Sequence, residues 1–245
     1  MRKKGGVGKL SSNAIKLIAI LAMTIDHVAW LIFPGLSREP VAIVMHIIGR
    51  ITCPIMCYFV AEGYHHTKNI KKYTARLFVF AVISHFAYVF ALKGMDSLIP
   101  FKTGILDQTS VMWSLAWGLV LLRIGEREKN RGALIFLACA LCFCADWSCI
   151  AALMILAFGT NRGDFREQMR WLLIYCGMYA LVYALTIDAL YGAVQLAVVL
   201  AIPVLKMYNG KRGKNKAINT FMKWLFYLYY PLHLFIIGLL KLGGI

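Results

Sequence analysis

Carboxylate side chains are scarce in this sequence. Its 245 residues include 11 Asp and Glu against 27 Lys and Arg, and charged residues of both signs make up only 16% of the chain. Hydrophobic residues make up 60%, and the mean hydropathy is +0.68. Since an average soluble domain carries about 25% charged residues, this composition excludes an ordinary soluble globular protein. It predicts a polytopic membrane protein whose natural partner is the lipid bilayer.

Features that divide a chain into domains or bind a metal are also missing. The six prolines are scattered, and no repeat, low-complexity segment or long linker interrupts the chain, so we expect one transmembrane domain over residues 1–245. The seven cysteines fall in or beside apolar segments, where a thiol behaves as a small hydrophobic group. No cysteine stands with a histidine or an acid at zinc-site spacing, and we expect no metal.

The apolar segments predict an all-α fold, an integral-membrane helical bundle with about nine membrane segments. After a basic leader at residues 1–10, they run at about 14–33, 41–62, 77–92, 109–122, 132–145, 147–160, 169–186, 189–207 and 221–240. Gly49, Arg50 and Pro54 interrupt the second segment. The fifth and sixth, joined at Asp146 and Trp147, are shorter than a full span, so they are either two short crossings or one re-entrant pair.

The positions of the basic residues predict the orientation. Of the 27 Lys and Arg residues, 21 lie in the leader and in alternate loops, as expected for the cytoplasmic side. We therefore expect a cytoplasmic N-terminus and an external C-terminus. The same distribution explains most of the net charge of +16 as membrane topology, so it does not predict a nucleic-acid partner.

Ionisable residues stand inside the first apolar segment. Eleven positions separate Lys16 from His27, which on a helix places them about 20° apart in azimuth and about 16 Å apart in height. A charge in hydrocarbon costs about 3 kcal/mol on the mildest scale, so such residues usually face a protein interior or a cavity and serve function. The alternative is that Lys16 extends to the interface and His27 only bonds a neighbouring helix.

Polar residues in other segments extend this pattern across the membrane. The expected depths give an inner pair of Lys16 and Glu62 and an outer cluster of Asp26, His27, His46 and Arg50. His233 and Tyr230 lie at middle depth in the last segment. Because Asp26 points about 100° away from His27 on a helix, a partner from another helix is as good a candidate for orienting the imidazole.

This arrangement fits more than one class of function. A neutral imidazole in a semi-polar cavity suits a general base, which favours group transfer from a cytoplasmic donor to an external acceptor. The same residues could relay protons in a proton-coupled transporter or permease. A non-catalytic assembly scaffold for a surface polymer is a third class.

Several separated motifs resemble the TraX family, and they span almost the whole chain. They are NAIKLIAILAMTIDH at residues 13–27, IGRITCP at 48–54, AEGYHHT at 61–67 with NIKKY at 69–73, DW at 146–147, and WLFYLYYPLHL at 224–234. The family is named for a protein that acetylates the N-terminus of conjugative pilin. It is distantly similar to acyltransferase-3 membrane proteins, in which an arginine precedes a functional histidine by the spacing of Lys16 and His27.

The resemblance implies an acetyltransferase of the bacterial cytoplasmic membrane. It would take acetyl groups from cytoplasmic acetyl-CoA to an extracytoplasmic amine or hydroxyl, such as a pilin N-terminus or a cell-surface glycan. On this basis the expected catalytic residues are His27, Asp26 and Arg50, with His27 as the base. The residues expected at acetyl-CoA are Lys16, Glu62, Tyr230 and His233.

Overall fold

The computed structural model describes residues 8–94, 108–127 and 131–244. These residues are helical almost throughout, and strand-like pairing among them is limited to isolated bridges, Leu10 with Tyr208 and Thr109 with Ala145. The predicted all-α class is confirmed. Residues 1–7 of the leader, residues 95–107 between the third and fourth apolar segments, and residues 128–130 lie outside the described residues.

Each predicted apolar segment coincides with one helix or with a broken helix. The helices are α1 (Ser12–Ile32), α2 (Pro40–Gly49), α3 (Thr52–His66), α4 (Ile70–Lys93), α5 (Val111–Arg127), α6 (Arg131–Cys142), α7 (Ser148–Thr160), α8 (Phe165–Thr186), α9 (Ala189–Gln195), α10 (Ala201–Lys206) and α11 (Lys216–Leu242). A short 3-10 turn, Leu196–Leu200, joins α9 to α10.

The chain is a multi-pass membrane protein. In the described part, six helical segments are long and apolar enough to cross a bilayer: Ser12–Ile32, Pro40–His66, Ile70–Lys93, Phe165–Thr186, Ala189–Lys206 and Lys216–Leu242. Helices α5, α6 and α7 are shorter, with 17, 12 and 13 residues. A count of nine crossings and the cytoplasmic position of the N-terminus stay predictions.

Side-chain caps fix where several helices begin. The Ser11 hydroxyl accepts from the Ala14 N–H at the start of α1, and the Asn69 side chain accepts from Lys72 at the start of α4. Asp164 and Asp188 cap α8 and α9 in the same way. Each cap satisfies an N–H that the first helical turn leaves without a partner.

Two compact units are built from non-contiguous parts of the chain. The first contains residues 1–59 and 161–227, and the second contains residues 60–160 and 228–245. In the first unit, α1 contacts α2, and α9 contacts both α2 and α8; in the second, α5 lies against α4, α6 and α7. The prediction of a single domain stays a prediction.

The second span of the first unit is broken where the sequence predicted it. Helix α2 ends at Gly49 and α3 begins at Thr52, so Arg50 and Ile51 form the joint. Gly49 is required there because a Cβ would collide with the Asp26 side chain. This close approach holds α1 and α2 together at the level of Asp26.

The second unit contains a tight turn between its two short helices. Trp147 and Ser148 have φ angles of 64° and 46°, which L residues rarely adopt. Thr109 holds this turn through two backbone bonds, its N–H to Cys144 O at 2.8 Å and its carbonyl to the Asp146 N–H at 2.7 Å. The pairing fixes a non-helical turn at the joint that the sequence placed at Asp146 and Trp147.

Candidate functional site

A carboxylate, a guanidinium and an imidazole meet in the first unit. Asp26 of α1 accepts hydrogen bonds from Arg50, whose Nη2 lies 2.8 Å from both carboxylate oxygens. His46 of α2 places Nδ1 2.8 Å from Asp26 Oδ1. Asp26 is 8% exposed and His46 only 1%, so α1 and α2 bury an ion pair together with a histidine.

Arg50 joins this cluster to two further parts of the first unit. Its Nε donates to the His46 carbonyl at 3.3 Å, and its Nη1 donates to Gln195 Oε1 at 3.0 Å. Gln195, the last residue of α9, is itself buried. The arginine therefore holds Asp26, the end of α2 and the end of α9 in one arrangement, which is the geometry in which a buried charge is tolerated.

Aromatic rings form the apolar side of the cluster. The centroid of the His46 ring lies 4.6 Å from that of Trp30 and 5.6 Å from that of Tyr191. The Tyr191 hydroxyl donates to the Ser37 carbonyl at 2.8 Å. Over the part of the chain that the structure describes, His46 Nε2 is buried without a hydrogen-bond partner.

His27, the predicted base, stands beside this cluster. Its side chain is partly exposed and hydrogen-bonds to the backbone of Met23, one turn earlier in α1. The charges of Asp26 and Arg50 are close enough to act on it. Asp26 directs its carboxylate to α2 instead, in agreement with the predicted divergence of Asp26 and His27 on the helix.

Lys16 lies at the other end of α1, between two aromatic rings of the first unit. Its Nζ is 4.9 Å from the ring centroid of Phe226 and 5.5 Å from that of Phe59. The Arg212 charge is close enough to repel it. Among the described residues of the first unit, no carboxylate stands at ion-pair distance from Lys16. Two cations without a neighbouring acid fit an anionic group such as a phosphate.

Backbone pairing secures the chain around these cations. The N–H of Leu10 donates to Met207 O and the N–H of Ser12 donates to Lys211 O, both at 2.9 Å. Asn13 also donates to the Asn219 side chain at 2.7 Å. The start of α1 is thereby tied to the basic loop that carries Arg212.

Three other predicted residues belong to the second unit: Glu62, Tyr230 and His233. Glu62 lies 3.4 Å from His66, one turn later in α3. His233 donates from Nδ1 to the Tyr229 carbonyl at 2.7 Å, and its ring stacks on that of Tyr229. Tyr230 is 2% exposed and contacts the His233 ring by its edge. Their expected roles at acetyl-CoA stay predictions.

Sequence reasoning found part of the cluster and missed the rest. Asp26 and Arg50 were expected in the catalytic set, and the structure brings them into direct contact. His46 was placed in the same outer cluster but outside that set, and Gln195 and Tyr191 were not singled out. A glutamine inside the apolar segment 189–207 was the signal that could have identified α9 as a partner.

Comparison with known proteins gives a match along almost the whole chain. Residues 11–241 match the family model described as TraX protein. The probable fimbrial assembly protein FimC, serogroup H1, of Dichelobacter nodosus is 28% identical over 235 residues, which cover 91% of this chain and 93% of that protein. The uncharacterized protein RP591 of Rickettsia prowazekii (strain Madrid E) is 33% identical over 71 residues, or 29% of this chain and 24% of that protein. No solved structure gives a significant match.

Proposed function

The chain belongs to the TraX family, and from that premise we propose that it is a membrane-embedded acetyltransferase. It moves an acetyl group from cytoplasmic acetyl-CoA across the bacterial cytoplasmic membrane to an extracytoplasmic amine or hydroxyl. The acceptor is a pilin N-terminus or a cell-surface glycan, and the similarity to a fimbrial assembly protein supports a protein acceptor.

The observation that carries this proposal is the buried cluster of Asp26, His46 and Arg50 beside His27. Ionised groups inside apolar helices are costly and are usually kept for function. Histidines beside a fixed carboxylate are suited to moving protons, which acyl transfer to an amine or hydroxyl requires. The cluster therefore supplies the acid–base part of the reaction.

The cations of the first unit support a site for the donor. Lys16 and Arg212 would hold phosphate groups of acetyl-CoA, whose thioester supplies an activated acetyl group. Phe59 and Phe226 keep the Lys16 ammonium in place by cation–π contacts. The resemblance also assigns Glu62, Tyr230 and His233 to acetyl-CoA, and these assignments stay predictions from the sequence.

In this proposal His27, the base expected from the resemblance, is one of the acid–base groups at the reacting centre. Its bond to the Met23 backbone orients the ring. Arg50 supplies positive charge for the oxygen that becomes negative when the acetyl carbonyl is attacked. Asp26 balances that charge in the resting protein, so that the guanidinium stays in place without a substrate.

Purified protein in lipid nanodiscs tests the proposal with acetyl-CoA labelled in its acetyl group. We expect release of CoA and label on an added peptide amine or amino sugar. His27→Ala should reduce release about 10²–10⁴-fold, the usual contribution of a general base. His85→Gln, which changes a histidine of the second unit, is the matched control and should keep the activity.

Other outcomes identify the competing functions. Proton-dependent uptake of a solute without CoA release would replace the proposal with a transporter. If His27→Ala and the wild type behave alike both in the acetyl-transfer assay and in the uptake assay, the result favours a non-catalytic assembly scaffold. Thermal unfolding followed by size-exclusion fluorescence shows that each variant is folded before its activity is compared.

A further inference from the structure

We propose that His46 is a second catalytic histidine, whose Nε2 takes the proton from the acceptor hydroxyl or amine during acetyl transfer. This inference rests on the proposed function and adds to it the residue that meets the acceptor. Neither the sequence motifs nor the family match assign a role to His46.

The hydrogen bond to Asp26 determines the tautomer of His46. An ionised carboxylate can only accept hydrogen bonds, so the 2.8 Å contact between Nδ1 and Asp26 Oδ1 places the proton on Nδ1. The other nitrogen, Nε2, then carries the lone pair. A carboxylate that orients an imidazole in this way prepares it as a base and stabilises the imidazolium that forms.

The Asp26 carboxylate that orients His46 is itself firmly held. Arg50 Nη2 bonds both oxygens of Asp26 at 2.8 Å, and Gly49 packs directly against the Asp26 side chain. Arg50 is anchored in turn by Gln195. The imidazole is therefore held by a group that cannot rotate away, which is what a positioned base needs.

The second ring nitrogen of His46, Nε2, is buried. His46 is 1% exposed, and Nε2 has no partner among the described residues. A buried acceptor atom without a donor is unfavourable and calls for an explanation. A neutral hydroxyl or amine of a substrate supplies the missing donor.

The proposed proton transfer to His46 needs no reactant other than the acceptor and acetyl-CoA. The acceptor oxygen or nitrogen bonds to the acetyl carbon while its proton moves to His46 Nε2. The carbon–sulfur bond then breaks, and the departing CoA thiolate takes the proton. His46 returns to the neutral form with its proton on Nδ1, ready for the next acceptor.

A short segment is joined to the surroundings of His46 through Tyr191. Residues 33–39 join α1 to α2, and here the carbonyl of Ser37 accepts from the Tyr191 hydroxyl. The next residue, Arg38, forms an ion pair of 2.6 Å with Asp188, and its side chain is 61% exposed. Since Tyr191 also contacts the His46 ring, release of this segment would uncover the imidazole.

The test compares two substitutions at one position. His46→Asn keeps an amide N–H close to the place of Nδ1, so the bond to Asp26 can form, but it has no base at the place of Nε2. We expect label transfer from acetyl-CoA to fall at least about 100-fold with CoA binding unchanged. In His46→Ala, added imidazole should restore part of the rate. A merely structural histidine would give no such rescue.

Chemical modification measures the accessibility of His46 without an acetyl-transfer assay. Diethyl pyrocarbonate modifies accessible imidazoles, and mass spectrometry locates the product. We expect His46 to react slowly in the wild type and several-fold faster in Arg38→Ala, because the segment at residues 33–39 is then released. Equal slow reaction in both proteins would overturn the proposed approach to His46.

The outcomes separate this inference from the proposed function. If the wild type transfers label and His46→Asn transfers it equally well, His46 is not catalytic and the acetyltransferase stands. If the wild type releases no CoA in membranes that contain the native acceptors, the proposed function fails, and the inference fails with it.

Discussion

The two compact units bury polar side chains in different ways. In the first unit, Asp26 and Arg50 are ionised, and they hold an imidazole that has one unpaired nitrogen. In the second unit, His85 Nδ1 shares a neutral 2.9 Å hydrogen bond with Thr109 Oγ1. Nearby, Ser114 donates to the Ser148 carbonyl at 2.7 Å.

In our proposal, this contrast separates groups that take part in the reaction from groups that stabilise the fold. Thr109 and Ser114 satisfy backbone and side-chain groups around the non-helical turn at Trp147, where unpaired groups would be costly in a membrane. The ion pair of the first unit also stabilises the joint between α2 and α3, but it additionally fixes a carboxylate against the His46 ring. Burial alone thus does not mark a site, and our proposal rests on the fixed charge beside the unpaired nitrogen of His46.

Removing the acid of the first unit should give the largest effect. Asp26→Ala leaves Arg50 buried without its counter-ion, a change that typically destabilises by about 3–5 kcal/mol. We expect a large drop in the unfolding temperature together with loss of acetyl transfer. Asp26→Asn keeps the volume and should unfold at a higher temperature than Asp26→Ala while remaining inactive.

If Asp26→Ala unfolds in nanodiscs at the same temperature as the wild type, the ion pair contributes nothing to the stability of the fold. The difference between the two units would then lose its energetic basis.

A substitution at the helix joint should have an intermediate effect. In Gly49→Ala the added methyl group meets the Asp26 side chain, and overpacking of this kind costs about 1–3 kcal/mol. Gly177→Ala in α8 is the matched control, because a Cβ there meets nothing within 4 Å. We expect Gly49→Ala to lower both the unfolding temperature and the activity, and Gly177→Ala to lower neither.

If both glycine variants behave alike, the close approach of α1 and α2 does not position the carboxylate.

The smallest effect is expected in the second unit. Thr109→Val removes one neutral hydrogen bond to His85 and retains the size of the side chain. Such a bond is worth about 1 kcal/mol, so the unfolding temperature should fall by a few degrees with acetyl transfer unchanged. A loss of activity as large as that of His46→Asn would place a second reactive centre in this unit.

Much of the fold could be predicted because hydropathy reports directly on membrane helices. The interruption of the second span at Gly49 and Arg50 was also visible, since a glycine and a charge rarely occur within an apolar helix. The short helices α6 and α7 were recognised as short, but their mode of crossing depends on tertiary packing. No pattern within a single segment encodes that packing.

The candidate site was harder to predict than the fold. The divergence of Asp26 from His27 follows from helix geometry and is seen in the contacts of Asp26 with α2. The contribution of α9 could not be predicted, because Gln195 lies 145 positions from Arg50 in sequence. Which of several buried histidines keeps an unpaired nitrogen is decided only when all the helices are in place.

The bond between Asp26 and Arg50 has a consequence for how the chain enters the bilayer. The two residues lie 24 positions apart on consecutive segments. Either segment inserted alone would carry a bare charge into lipid, at a cost of about 3 kcal/mol. Insertion of both as one hairpin neutralises the charges during biogenesis, so the residues that we assign to catalysis also favour delivery of the first two segments to the membrane as a pair.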